Sequence, residues 1–131
     1  MPSGDFVDYF VIDRARIGFY IADVAGHGVA SAVITVMLKN HMDRHLEDFL
    51  RHGDSTIVDP AALLGRLNRD MVSREHGKYL TIFYGVVDLD ARRLTFANGG
   101  QFPFPYVFDG SSVTEIGGRT TPAGARGSGG R

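Results

Sequence analysis

The sequence predicts an α+β fold in which helices cover an antiparallel sheet. Three features predict it: two strand-like segments near the N-terminus, a pair of helical segments in the middle, and a run of short strands after them. The strands follow one another closely, which favours hairpins over long parallel crossovers. At 131 residues the chain has the length of one domain or of a large part of one.

The first two strands are expected at residues 6–13 and 17–23, because both segments are rich in β-branched and aromatic side chains. The polar residues 13–16 supply a turn between them, so the two strands are expected to form a hairpin. Both strands carry apolar residues on both of their faces. We therefore expect the sheet to be covered on both sides.

Two helices are predicted next. Over residues 29 to about 50 the apolar side chains follow a helical period in two stripes, which indicates a helix buried between layers or against a partner. We interpret residues 51–58 as a loop. Asp59 as N-cap and Pro60 at the first helical position predict a second helix that ends near residue 74 and packs antiparallel to the first.

Short strands follow the helices. The strongest strand pattern of the chain covers residues 79–89, a return strand is expected at 93–97, and a short hairpin falls within 107–116. The last residues contain almost no apolar side chains. We therefore expect a folded domain over 1–118 and a flexible glycine-rich tail over 119–131.

Charge and composition exclude several function classes. The net charge is −1 at pH 7, which gives no electrostatic basis for binding nucleic acid or an anionic membrane. The absence of cysteine excludes a disulfide scaffold, a thiolate zinc site and a cysteine nucleophile. The longest apolar stretch, from Val29 to Leu38, is shorter than the about 20 residues that a membrane span needs. Because the N-terminus has no export pattern, we expect a cytoplasmic protein.

Asp5 and Asp23 are the candidate catalytic and metal-binding residues. One begins the first strand and the other ends the second, so a hairpin would make them neighbours. Two close carboxylates repel each other unless they share a proton or a cation, and Mg²⁺ or Mn²⁺ suits oxygen ligands of this kind. The glycines after Asp23 would let the main-chain carbonyl of Val24 face the same ion. Taken singly, a strand-end aspartate is more often a turn former or a cap than a metal ligand.

The segment Gly26-His27-Gly28 directly precedes the first helix. Free N–H groups and the positive end of the helix dipole would point toward the same corner, and they suit a phosphate group. Metal ions beside a phosphate favour phosphoryl hydrolysis. By itself, a histidine in the position of His27 is more often a helix-start or packing residue than a catalytic one. Asp8 falls on the same strand face as Phe10 and is either a supporting group of the site or a solvated side chain.

The remaining histidines show no clear metal spacing. His41 and His45 are four residues apart and share one face of the predicted helix. No third ligand is evident near them in the sequence. We therefore expect both to lie on a solvated helix face.

Three motifs occur in order along the chain: Gly4-Asp5-Phe6-Val7-Asp8, Asp23-Val24-Ala25-Gly26-His27-Gly28 and Phe83-Tyr84-Gly85-Val86-Val87-Asp88. Together they resemble the bacterial metal-dependent (type 2C) serine/threonine protein phosphatases of the SpoIIE-like class. Members of this class commonly form the output domain of response regulators that control a sigma-factor pathway. The combination is far more specific than any one of its parts.

The resemblance implies a type 2C phosphatase-like sandwich of two antiparallel sheets flanked by helices. It also implies that Asp5, Asp23 and the carbonyl of Val24 bind metal, with two Mg²⁺ or Mn²⁺ ions in the complete domain. Water would attack a phosphoserine or phosphothreonine directly, without a phosphoenzyme. The expected substrate is a phosphorylated anti-sigma-factor antagonist, and a receiver or sensor domain is expected upstream.

The chain departs from the family pattern in two ways. Residues 98–101 read Asn-Gly-Gly-Gln where the family has Asn-Ala-Gly-His, and the chain ends at Arg131 before two further acidic motifs of the family. We therefore expect a domain that is incomplete at its C-terminus, with weak or no activity on its own. The alternative is a non-catalytic pseudophosphatase that binds a partner. Exposed sheet edges would also favour a homodimer.

Overall fold

The fold is that of a computed structural model. The structure describes the backbone of residues 4–24, 29–72, 80–99, 106–108, 113–115 and 126–127. Side chains are described over residues 7–24, 32–70 and 80–99. In chain order the elements are β1 (Gly4–Val11), β2 (Arg16–Val24), α1 (Val29–His52), a 3-10 helix (Ser55–Val58), α2 (Pro60–Val72), β3 (Leu80–Asp88), β4 (Arg93–Gly99), β5 (Tyr106–Phe108), β6 (Val113–Glu115) and β7 (Arg126–Gly127).

Five of these strands form one antiparallel sheet in the order β1-β2-β3-β4-β7, and β5 pairs with β6 in a separate hairpin. An antiparallel sheet with two helices is the predicted α+β class, which is confirmed. In the described part of the chain no helix combines the length and the apolar character that a membrane crossing requires.

The core lies between the helices and one face of the sheet. Every second residue of β2 from Gly18 to Val24 is buried, as expected for a strand with one covered face. The cluster that covers this face comes from both helices; its fully enclosed members include Ile34, Leu38 and Met42 of α1 and Leu63, Leu64 and Leu67 of α2. Each such side chain contributes about 1.5–3 kcal/mol by leaving water.

Only one of the two predicted apolar stripes of α1 is buried in the described part of the chain. On the other stripe Val33 is 43% exposed and Val36 is 57% exposed. The sheet is likewise open at its β1 edge, where Val7, Tyr9 and Val11 are each more than 60% exposed. The expectation that both faces of these strands are covered is therefore wrong for β1, because its side chains on the face turned away from the helices are left exposed by the described residues.

The turn between β1 and β2 is closed by Asp13. Its Oδ1 accepts hydrogen bonds from the N–H groups of Ala15 (3.0 Å) and Arg16 (2.9 Å), and its Oδ2 lies 2.8 Å from the Arg16 guanidinium. A turn closed in this way fixes the register of the hairpin. That register places Gly4 opposite Val24 at the far end.

The second helix begins as the sequence predicts. Pro60 is its first residue, and Oδ1 of Asp59 accepts the N–H of Ala62 at 3.2 Å, which satisfies a free donor of the first turn. The 3-10 helix contacts the end of α1 and the start of α2, whereas Asp70 near the end of α2 reaches His41 within α1. The helix α2 therefore runs back along α1, and the predicted antiparallel pair is confirmed.

Residues 55–58 form the 3-10 helix instead of the expected loop. Asp54 caps it by accepting the N–H of Thr56 at 2.9 Å, and Tyr84 of β3 donates its hydroxyl to the Ile57 carbonyl at 2.6 Å. The bond from Tyr84 comes from a strand far away in sequence. Local patterns around Ile57 carry no sign of it.

The predicted end of the fourth strand is wrong. The strand β4 continues through Asn98 to Gly99, beyond the predicted end at 97, because Asn98 still pairs with Phe83 of β3. Within the segment predicted as a flexible tail, Arg126 and Gly127 pair with β4. Backbone pairing needs no side-chain alternation, so a glycine-rich sequence gives no periodic signal for it. The boundary between a domain at 1–118 and a tail stays a prediction.

His41 and His45 are buried, with 5% and 3% of their surface exposed. The expected solvated face is therefore wrong at these two residues. The spacing along α1 correctly places them on one face. It cannot show that α2 covers that face, because this depends on packing between the two helices.

Candidate functional site

Asp5 and Asp23 are direct partners in the antiparallel ladder between β1 and β2. Residues that face each other in this way occupy the same face of a sheet, with Cβ atoms about 4.5–5.5 Å apart. The neighbour of Asp23 on its other side is Thr81 of β3. The hairpin thus brings the two predicted positions together; Asp23 is half-buried, and the side chain of Asp5 lies outside the described residues.

Both positions belong to the sheet face that is turned away from the helices. Asp23 stands between Ala22 and Val24, whose side chains are in the helix-covered core. The face of Asp23 carries a row of three aromatic rings instead. In this row Phe83 lies 6.0 Å from Phe19 and 5.2 Å from Phe96 between ring centroids. Apolar neighbours lower the local dielectric constant and strengthen any interaction between charges.

Val24, the last residue of β2, has a fully buried side chain. The segment Gly26-His27-Gly28 lies outside the described residues. Since α1 begins at Val29, the helix start predicted directly after this segment is confirmed. The roles of the Val24 carbonyl as a metal ligand and of Gly26, His27 and Gly28 as phosphate contacts stay predictions.

Asp8 takes part in a polar network on the helix-covered face. It lies opposite Tyr20 in the ladder, and its Oδ2 accepts hydrogen bonds from the Tyr20 hydroxyl at 3.3 Å and from Nζ of Lys39 at 3.0 Å. The network links both strands of the hairpin to α1. Asp8 and Asp23 are on opposite faces of the sheet, so the predicted support of the site by Asp8 would have to act through the strand backbone.

The charges of this network follow from its contacts. Burial alone would raise the pKa of Asp8, but hydrogen bonds from Lys39 and from the N–H of Tyr9 outweigh it and lower the pKa below its usual value. The bond to Asp8 raises the pKa of Lys39. Burial, followed by the negative charge of Asp8, raises the pKa of Tyr20. At neutral pH the tyrosine therefore donates to a charged carboxylate that also binds an ammonium group.

Sequence reasoning missed Tyr20 and Lys39. The pair of Asp8 with Tyr20 follows from the hairpin register, so the length of the turn could have indicated it. Lys39 comes from α1, and only tertiary packing shows which helical residue reaches β1. The side chains described over 7–24, 32–70 and 80–99 contain no cluster of three or more histidine or acidic groups that could hold a metal ion.

A family model described as "Stage II sporulation protein E (SpoIIE)" matches residues 13–128 of the chain. The chain belongs to the SpoIIE family. The resemblance drawn from the three motifs is thereby confirmed. The matched region contains Asp23 and the motif of β3, and it begins after Asp5 and Asp8.

Curated relatives of this SpoIIE-family chain include two proteins of Bacillus subtilis (strain 168), named phosphoserine phosphatase RsbP and phosphoserine phosphatase RsbU. RsbP is 32% identical over 106 residues and RsbU is 32% identical over 102 residues. Each match covers 77% of this chain, but only 24% of RsbP and 28% of RsbU. The chain thus spans about a quarter of the length of these relatives.

A solved structure of the RsbU and RsbW domains of Rv1364c from Mycobacterium tuberculosis has a similar fold. The two superpose with a TM-score of 0.67 over 96% of this chain and 32% of that chain, at 21% sequence identity. At this identity the similarity concerns the fold alone. It agrees with the antiparallel sheet and the two helices described above.

Proposed function

We propose that the chain is part of a metal-dependent protein serine/threonine phosphatase. The observation that carries the proposal is the pairing of Asp5 with Asp23 on one face of the sheet, directly before α1. Membership of the SpoIIE family and the names of RsbP and RsbU support the same activity.

Asp5, Asp23 and the carbonyl of Val24 would hold Mg²⁺ or Mn²⁺, with two ions in the complete domain. The donors fit such an ion, because they are hard oxygen atoms and because two facing carboxylates are stabilised by a shared cation. When bound, the metal would polarise the phosphoryl group and lower the pKa of water.

Binding of the phosphate group is the role we propose for Gly26, His27, Gly28 and the first turn of α1. The N–H groups at the start of a helix have no partner within the helix, and they carry a positive partial charge. Their proposed place next to Asp23 would let the chain orient a phosphoserine or phosphothreonine. Asp8 would act from the other face by fixing β1 and β2 to α1 through Lys39 and Tyr20.

The proposed substrate is a phosphorylated anti-sigma-factor antagonist, as in the pathways that the resemblance implies. An upstream receiver or sensor domain and a cytoplasmic location belong to the same proposal. So does a second antiparallel sheet that completes the sandwich. The exposed side chains of Val7, Tyr9 and Val11 support a further layer or a second copy of the chain at β1.

The activity is tested by measuring phosphate release from a phosphoserine protein in the presence of Mn²⁺. We expect that Asp23→Ala abolishes any release, whereas Asp90→Ala in the exposed turn between β3 and β4 leaves it unchanged. Equal release by the wild-type protein and by Asp23→Ala would remove Asp23 from the mechanism.

The second candidate, a non-catalytic module, is separated by titration with Mn²⁺ alone. Stoichiometric Mn²⁺ binding that depends on Asp23 supports the phosphatase. Partner binding without any Mn²⁺ binding would support the pseudophosphatase.

A further inference from the structure

His41 and His45 form a buried pair of imidazoles on the face of α1 that meets α2. Their ring centroids are 4.6 Å apart and their planes are inclined by 61°. Both rings are more than nine-tenths buried. Within the part of the chain that the structure describes, none of the four ring nitrogens makes a hydrogen bond, although Nε2 of His41 lies 3.3 Å from Oδ2 of Asp70.

Buried polar nitrogens without hydrogen bonds are rare in proteins, because each of them has lost its contact with water. A neutral imidazole tolerates such a place better than a charged one, since burial penalises the ion most. A proton on one ring would also repel a proton on the other at this distance. The pair therefore fits the interface only while both rings are neutral.

The charged groups around the pair come from three elements. From α1, Arg44 opposes a proton on either ring and Asp48 favours one on His45. From α2, Arg66 opposes a proton on His45 and Asp70 favours one on His41. In the segment between α1 and the 3-10 helix, Asp54 also favours a proton on His45.

We propose that the pair of His41 and His45 is a pH-sensitive contact between α1 and α2. The pair holds α2 against α1 while both rings are neutral. When one of the rings takes up a proton in mildly acidic solution, the two helices loosen. The pair stands at a contact between the two helices, because Asp70 of α2 lies 3.3 Å from Nε2 of His41 and 3.5 Å from the Arg44 guanidinium. This pH-sensitive contact depends on burial and ring contact within this chain and not on the proposed phosphatase activity.

The pH range of the effect follows from the direction of the shifts. Burial, followed by the neighbouring His45, lowers the pKa of His41 to about 4, and burial, followed by Arg44 and Arg66, lowers the pKa of His45. The unfolded chain takes up these protons near pH 6.5. Stability contributed by the neutral pair is therefore complete above about pH 6.5 and is lost as the pH falls toward 4. Each proton taken up only on unfolding changes the unfolding equilibrium constant by up to about tenfold per pH unit.

The test combines an NMR titration of the ring protons with denaturant unfolding between pH 7 and pH 4.5. We expect His41 and His45 to titrate well below the ordinary histidine pKa of about 6.5, and the unfolding equilibrium constant to rise more than tenfold from pH 7 to pH 5. We also expect the double variant His41→Phe/His45→Phe to lose this rise, while the control His52→Gln keeps it. Amides of α2 should exchange faster relative to those of β3 at pH 5 than at pH 7, after correction for intrinsic rates.

The proposal is overturned if both rings titrate near the ordinary histidine pKa of about 6.5, if the amides of α2 exchange no faster relative to those of β3 at pH 5 than at pH 7, or if the double variant shows the same pH dependence as the wild-type protein. The ring titration and the amide exchange require only the wild-type chain. Together they decide the matter even if the double variant does not fold.

Discussion

Asp5 and Asp23 face each other as partners in the ladder of β1 and β2, at the end of the hairpin that precedes α1. Like charges directly opposite in a sheet destabilise it by about 0.2–1 kcal/mol. When no cation is bound, the repulsion between the two carboxylates is therefore a cost that lowers the free energy of unfolding.

This cost predicts opposite effects of one substitution with and without metal. In a chelator, Asp5→Asn should melt at the same temperature as the wild-type chain or slightly above it, because one of two facing charges is removed. With millimolar Mn²⁺ the order should reverse, since only the wild-type protein gains stability from binding. Differential scanning calorimetry in both buffers checks this, with Asp90→Asn as a control that should respond to Mn²⁺ as the wild-type protein does. An Asp5→Asn variant that gains as much from Mn²⁺ as the wild-type protein would contradict the assignment.

Tyr84 ties the sheet to the 3-10 helix through a 2.6 Å hydrogen bond to the Ile57 carbonyl, and both residues are fully buried. Tyr84→Phe removes the donor and leaves a buried carbonyl without it. We expect a loss of about 1–3 kcal/mol in the free energy of unfolding. Urea denaturation measures it, and Tyr9→Phe, at a tyrosine that is 71% exposed, should change stability by less than about 0.5 kcal/mol. Equal effects of the two substitutions would show that the bond contributes nothing.

Gly85 and Gly65 form a matched pair, because substitution by alanine is expected to lower the free energy of unfolding at the first and to raise it at the second. At Gly85 an added Cβ would stand 2.7 Å from the ring of Phe19, which is packed against Phe83, so Gly85→Ala should destabilise the protein by about 1–3 kcal/mol. At Gly65 within α2 an added Cβ meets no atom within 4 Å, and Gly65→Ala should stabilise it by about 0.5–1 kcal/mol. Thermal unfolding of both variants tests the pair. The packing described for the aromatic row is wrong if Gly85→Ala is neutral.

Local sequence patterns predicted most of the elements and the pairing of Asp5 with Asp23, whereas packing between elements escaped them. The β-branched and aromatic residues of β1 and β2, with the polar turn at Asp13, were sufficient to place Asp5 beside Asp23. Asp59 and Pro60 were sufficient to start α2, because a helix cap is a local feature. The burial of His41 could not be predicted in the same way, since it depends on which face of α1 the second helix covers.

The strand β1 predicts self-association of the chain. It is the edge strand of its sheet, and an unpaired edge with exposed Val7, Tyr9 and Val11 can pair with a second copy. Tyr9→Lys places a charge on this edge and should shift the protein toward a monomer in light scattering. The control Leu89→Lys changes another exposed apolar residue, at the turn after β3, and should leave the mass unchanged. A wild-type chain that is monomeric at high concentration would contradict the prediction.

The most direct test of the central claim is paramagnetic broadening of amide NMR signals by Mn²⁺, which detects weak as well as tight binding. We predict that substoichiometric Mn²⁺ broadens the signals around Asp5 and Asp23 at the end of the hairpin first, and that Asp23→Asn abolishes this selective loss while Asp90→Asn preserves it. Broadening centred elsewhere, or broadening of the hairpin that persists in Asp23→Asn, would contradict a metal site built on these two carboxylates.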